Sequence, residues 1–131
     1  MGGIKTALQG TVSTGSGDGA FFMSLEPYIA VMEQNLGYIP FKGTFNLKVS
    51  GQQAKRFIGL LDSIEIDGFK KGIKQFGGVK CYPCRIKQIK CAIIIPEFTR
   101  YDLSTVEIIS KEELRKTLNA KDGDKVIISI A

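Results

Sequence analysis

The chain has 131 residues, 44% hydrophobic and 24% charged, a composition that fits one globular domain and excludes a disordered or fibrous protein. It contains no histidine, which rules out Ser-His-Asp and Cys-His nucleophiles and a His-ligated zinc hydrolase. The formal charge of +5 suits an anionic partner such as a nucleic acid, nucleotide or phosphorylated metabolite, and equally a surface solvated by lysines.

The predicted elements begin with a strand from Ile4 to Ser13, and the start Met1-Gly2-Gly3-Ile4-Lys5-Thr6 has no long apolar segment of the secretory kind. Thr14-Gly15-Ser16-Gly17-Asp18-Gly19-Ala20 follows. Glycine at every second position lets successive N–H groups converge on an anion, and a flexible hairpin loop fits the same residues. The stretch is neither a GxxxxGK[ST] loop nor a GxGxxG before a helix, because Phe21 to Ser24 reads as a strand. A helix comes next, with Pro27 in its first turn, Tyr28, Val31, Met32 and Leu36 at helical spacing, and Gly37 as C-terminal cap.

The strand Thr44 to Val49 turns Phe45, Leu47 and Val49 to one side and Thr44, Asn46 and Lys48 to the other, alternate residues lying about 7 Å apart. Thr and Asn oxygens are hard neutral ligands of the kind Mg²⁺ accepts alongside water and phosphate; a polar outer strand face is the structural alternative. Phe57, Ile58 and Leu61 suggest one helical turn, and strands are expected at Ser63 to Ile66, Val79 to Tyr82 and Cys84 to Ile95. The apolar run Ala92 to Ile95 is cut by Pro96 and falls far short of the ~20 residues that span a bilayer, so the chain is expected to be soluble and cytoplasmic. Cys81, Cys84 and Cys91 include a CxxC, but three soft ligands without histidine fall short of a zinc site, and buried or incidental thiols are expected.

After the loop Pro96-Glu97-Phe98-Thr99-Arg100-Tyr101-Asp102, the strand Thr105 to Ile109 carries Glu107 inside an apolar run. A carboxylate there is costly unless paired, used, or pointed outward. Ser110-Lys111-Glu112-Glu113 reads as a capping box opening a second helix, with Leu114 and Leu118 on one face and Asn119 near its end. The start of that helix is a candidate phosphate site, with Arg115 adding charge. Asp122-Gly123 is turn chemistry before a last strand, Lys125 to Ile130. Many short strands, glycine at the corners and two small helices predict a mainly β, single-domain barrel over 1–131.

Taken in order, these pieces resemble the archaeal CTP-dependent riboflavin kinase family. The likeness runs from Gln9 to Ile130 and is carried by Gly10-Thr11-Val12-Ser13 leading into Gly15-Ser16-Gly17-Asp18-Gly19, then Phe22 to Tyr28, and Gly43-Thr44-Phe45-Asn46-Leu47-Lys48. Gly78-Val79-Lys80, Ala92 to Pro96, Thr99, Val106-Glu107-Ile108-Ile109, Leu114-Arg115 and Leu118 to Asp124 complete it.

The resemblance implies a six-stranded cradle-loop β-barrel that transfers the γ-phosphoryl of CTP to the 5′-hydroxyl of riboflavin, giving FMN and CDP. It further implies that Ser16, Gly17, Asp18, Gly19, Ala20 and Phe21 wrap the nucleotide, with Glu112, Glu113, Leu114 and Arg115 completing that site. Thr44 and Asn46 would hold Mg²⁺; Thr99 and Glu107 would contact the flavin, Glu107 also being the candidate base. A monomer without a membrane or nucleic-acid partner is expected. Ala20 departs from the pattern, standing where a larger, often basic residue is expected, and 50–75 matches poorly. A small DNA-binding barrel regulator, or a flavin- or nucleotide-binding barrel without catalysis, are the rival readings; steep loss of affinity with added salt would mark the DNA binder.

Overall fold

A computed structural model describes residues 6–15, 24–97 and 103–131. Among them lie β1 (Ala7–Ser13), α1 (Glu26–Leu36), β2 (Phe45–Lys48), α2 (Gly51–Ile58), β3 (Ile64–Ile66), β4 (Phe69–Lys71), β5 (Lys74–Phe76), β6 (Val79–Ile86), β7 (Ile89–Pro96), β8 (Thr105–Ser110), α3 (Leu114–Thr117) and β9 (Lys125–Ile130). Strands pair in the order β6-β7-β8-β2-β1-β9, and β9 pairs back onto β6. The result is the expected six-stranded barrel, antiparallel throughout, with β3 added on the outside of β6.

Strand alternation sorts the apolar residues into two cores. Leu8, Val12, Phe45, Leu47, Cys84, Ile86, Cys91, Ile93, Val106, Ile108, Val126 and Ile128 fill the barrel, joined by Ala54, Phe57 and Ile58 of α2 and by Leu114. On the outer wall, Val79, Cys81, Ala92, Ile94 and Ile109 meet Tyr28 and Met32 from α1 and Leu25 just before it. One wall is therefore apolar on both faces, which is why β7 reads as a continuous hydrophobic run.

Helix α1 follows its sequence signals. Pro27 occupies its first turn, and Gly37, at φ 83°, donates its N–H to Glu33 O at 2.9 Å. The Tyr28 hydroxyl donates to Gly77 O at 2.6 Å, and its ring meets Phe69 edge-on, which in turn stacks on Phe76. Helix and β4–β5 hairpin thus brace each other over the outer wall.

Several expectations need correction. The described residues form three helices, not two. The cluster around Phe57 is an eight-residue helix capped by Ser50, whose Oγ accepts from Gln53 N–H at 3.3 Å, and it ends before Leu61. Cys81 to Cys84 is not a break between strands but the middle of β6. Pro83 sits there between the stretch paired with β3 and the stretch paired with β9, where a missing N–H costs a ladder least. The chain turns instead at Lys87-Gln88, since Ile86 faces Ile89; Lys87 has φ 55° without the Asn or Gly that marks such turns.

Nor does Ser110 open a helix. It ends β8, buried opposite Cys91, and its hydroxyl donates to Lys90 O at 2.9 Å while accepting from Glu112 N–H at 3.2 Å. Helix α3 starts at Leu114 and is four residues long. The segment 50–75, where the resemblance is poor, comprises α2, β3 and most of the hairpin. The expected strand Phe21 to Ser24 lies mostly outside the described residues, and Ser24 itself is in a turn.

Candidate functional site

The site begins with three strands in register. Ser13 of β1 faces Asn46 of β2, Asn46 faces Glu107 of β8, and Glu107 faces Ile94 of β7. Directly opposed residues share a face, and the alternation of buried Val12, Phe45, Leu47, Val106 and Ile108 into the barrel puts this row on the outer wall. Thr11, Lys48 and Thr105 form the next row, about 7 Å further along.

Asn46 is 7% exposed, unusual for an amide on an outer face. Gly15 is the reason. A Cβ there would collide with Asn46 Nδ2 and lie 3.0 Å from its Cγ, so only bare backbone fits over this side chain. The Thr44 hydroxyl donates to Asn46 Oδ1 at 2.9 Å, fixing which end of the amide faces Thr44. Glu107 is half-buried and engaged with its surroundings.

Arg115 ties the start of the glycine-rich loop down. Its Nη2 donates to Ser13 O at 3.1 Å and Thr14 Oγ1 at 3.4 Å, and bridges to Asp122 Oδ1 at 2.5 Å. The Thr14 hydroxyl donates to the other Asp122 oxygen at 2.8 Å. The hydrogen bond from Arg115, then that from Thr14, hold the Asp122 carboxyl below the usual carboxylate range. The turn carrying Asp122 is stitched to β1, with Gly123 N–H on Val12 O at 2.9 Å and Val12 N–H on Asp124 O at 2.8 Å. Glu112, Glu113, Leu114 and Arg115 line a cavity of about 80 Å³ together with Phe41, Gly43 and Thr44. A larger cleft of about 660 Å³, lined by Thr11, Lys48, Ser50, Gln53 and Lys125 among others, runs along the same outer wall.

The structure thus brings Thr44, Asn46, Glu107 and the segment Glu112 to Arg115 into one region beside Gly15. Ser16, Gly17, Asp18, Gly19, Ala20, Phe21 and Thr99 lie outside the described residues. The three cysteines stand apart from the row: Cys81 belongs to the outer core, whereas Cys84 and Cys91 face each other inside the barrel with sulfurs 3.5 Å apart. Residues three apart on a strand point to opposite faces, so this CxxC cannot close on one ion. Burial pushes the Cys81 thiol up to about 12, and hydrogen bonding to Cys84 together with burial raises Cys91; both disfavour a reactive thiolate. Among the described residues no cluster of three acidic or cysteine side chains could hold a metal ion, and no helix is long and apolar enough to cross a membrane.

Sequence reasoning placed Thr14 at the start of the glycine-rich stretch but missed its side-chain tie to Asp122 and Arg115. Asp122 was visible only as turn chemistry, and nothing local announces that it reaches Arg115. Phe41 was not singled out at all.

Residues 12–130 match the family model of the CTP-dependent riboflavin kinases, which bears the description "Domain of unknown function DUF120". The chain belongs to the CTP-dependent riboflavin kinase family. A protein named riboflavin kinase from Pyrobaculum islandicum is 40% identical over 129 residues, covering 97% of this chain and 61% of the relative. One of the same name from Methanospirillum hungatei is 42% identical, covering 94% and 57%, and one from Methanosarcina mazei 36% identical, covering 94% and 56%. The chain of this family member therefore spans about three-fifths of the length of the curated relatives it matches.

Proposed function

We propose that the chain transfers the γ-phosphoryl group of CTP to the 5′-hydroxyl of riboflavin, giving FMN and CDP. Family membership supports the reaction, and the observation that carries it onto these residues is the row Ser13–Asn46–Glu107 with Gly15 backbone laid over Asn46. Phosphoryl transfer asks a protein mainly for positioning and charge neutralisation; the row would supply the positioning, and a bound cation with Arg115 the neutralisation, without histidine.

The donor set fits Mg²⁺. The Thr44 hydroxyl and the Asn46 amide oxygen are hard, neutral donors of the kind Mg²⁺ accepts, and they lie side by side. Thr44 and Asn46 would hold the ion through two neutral oxygens, and Mg²⁺ ordinarily completes its shell with water and substrate phosphates. When bound, Mg²⁺ would neutralise charge on the phosphates.

The protein's own groups do the rest. The Thr44 hydroxyl gives up its bond to Asn46 and turns its proton outward. Arg115 holds Ser13 and Thr14 in place, so the loop leaves β1 in a fixed direction over Asn46. Glu107 accepts the proton of the ribityl hydroxyl as that oxygen attacks phosphorus. Glu112 to Arg115 and the loop Ser16 to Phe21 would enclose the nucleotide, and Thr99 with Glu107 the flavin. A cytoplasmic monomer is the setting this reading implies.

Incubation with riboflavin, CTP and Mg²⁺, followed by chromatography, tests the reading. FMN and CDP in equal amounts are expected; no FMN with any nucleoside triphosphate would reject it.

A further inference from the structure

Phe41 is 41% exposed, yet it is held firmly. Pro40 before it is buried and fixes its own φ. The Phe41 N–H donates to Ser110 O at 2.7 Å, clamping the segment to the end of β8. Gly43, at φ 144°, a backbone conformation that favours glycine, lies beside the ring: a Cβ there would stand 3.4 Å from it, an ordinary contact distance. An apolar ring thereby stands on the rim of the small cavity whose other walls include Gly43, Thr44 and Glu112 to Arg115.

The direction of the site decides what such a ring meets. Along the chain the order is Phe41, Thr44, Asn46, with Glu107 directly across from Asn46. An in-line transfer sets donor and acceptor on opposite sides of the moving phosphoryl group. If the acceptor hydroxyl lies at Glu107 and the phosphates at Thr44 and Asn46, the rest of the donor extends towards Phe41. What remains of a nucleotide beyond its phosphates and sugar is a flat base with two π-faces.

We infer that the Phe41 ring is the platform on which the base of the nucleoside triphosphate stacks. This rests on the kinase reading and extends it to donor recognition. The backbone that carries the ring is already held by Pro40 and by the bond to Ser110, so less has to be ordered on binding, and base–aromatic stacking is strong enough to weigh in donor affinity.

The test is calorimetric titration of the whole chain, with Mg²⁺, against CDP and separately against inorganic tripolyphosphate, which has no base. Phe41→Ala and Phe41→Leu should each raise the Kd for CDP about ten-fold. Phe41→Tyr, which keeps the π-face, should stay close to the unmodified chain. Tripolyphosphate should bind all four proteins alike. An unchanged CDP affinity in Phe41→Leu, an equal loss for tripolyphosphate, a loss of riboflavin affinity in place of CDP affinity, or no CDP binding by the unmodified chain would each overturn the inference. Failure of the kinase reading looks different: CDP binds and responds to Phe41, but no FMN forms.

Discussion

Glu107 sits between two buried residues, Val106 and Ile108, yet faces the other way, towards Asn46 across the strand pair. Strand alternation gives the carboxylate its position, and the pairing of β8 with both β2 and β7 makes that position rigid. On the proposed kinase reading, a group held so close to Thr44 and Asn46 would serve proton transfer rather than folding. Glu107→Gln keeps size and hydrogen-bonding capacity but removes the basic oxygen. Turnover of riboflavin is expected to fall about 100-fold or more, while riboflavin binding, read by quenching of its fluorescence, persists. Near-normal turnover would dismiss the base role.

Asp122 works differently, through position. Its carboxyl takes one bond from Arg115 and one from Thr14, and both lower its affinity for a proton. A folded-state value below the unfolded one means stability that is present at neutral pH and disappears as the pH falls through the folded value. Asp122→Asn should therefore melt lower than the parent at pH 7, and the gap should narrow from about pH 4 downwards. A gap that stays constant from pH 7 to pH 2 would show that the carboxylate charge is not what pins the loop.

At the scale of elements, the outer wall needs a cover and α1 provides it. Met32 is 1% exposed and packs in the outer core beside Tyr28, Ile94 and Ile109. Met32→Ala should cost about 2–5 kcal/mol, measured by urea unfolding; a loss below 1 kcal/mol would mean that α1 is not integral to the fold. This helix was legible because its signals are local: a proline in the first turn, apolar residues at helical spacing and a glycine cap. β9 was legible in the same way, from the alternation of Val126, Ile128 and Ile130. Elements set by distant partners were not. Ser110 carries the letters of a capping box, but pairing with Cys91 keeps it in a strand, and the box is read by sequence where no helix begins. Pro83 looks like a strand end until the change of neighbours from β3 to β9 gives it a tolerable place. The site divides along the same line: Thr44, Asn46 and Glu107 lie on strands of clear alternation, whereas the Arg115–Asp122–Thr14 cluster joins three segments that only the closed barrel brings together.

Barrel closure also decides how binding should register in the whole molecule. β1, β2 and β8 supply the proposed site and are half of the ring β6-β7-β8-β2-β1-β9, so unfolding the barrel destroys the site and a ligand that needs it must stabilise the entire domain. At about 100 times its Kd such a ligand adds about 2.7 kcal/mol. For a domain of this length that raises the melting midpoint by about 10 °C. CDP with Mg²⁺ is expected to give a rise of this size, and CDP with a chelator a much smaller one, because on the proposed reading the Thr44 and Asn46 oxygens would contribute through the ion. Asn46→Ala separates the two contributions: its melting curve without ligand should shift modestly, while the Mg²⁺-dependent part of the rise should vanish. If Asn46→Ala keeps the full Mg²⁺-dependent rise, the ion is held elsewhere, and the outer row is a structural seam rather than the place where donor and acceptor meet.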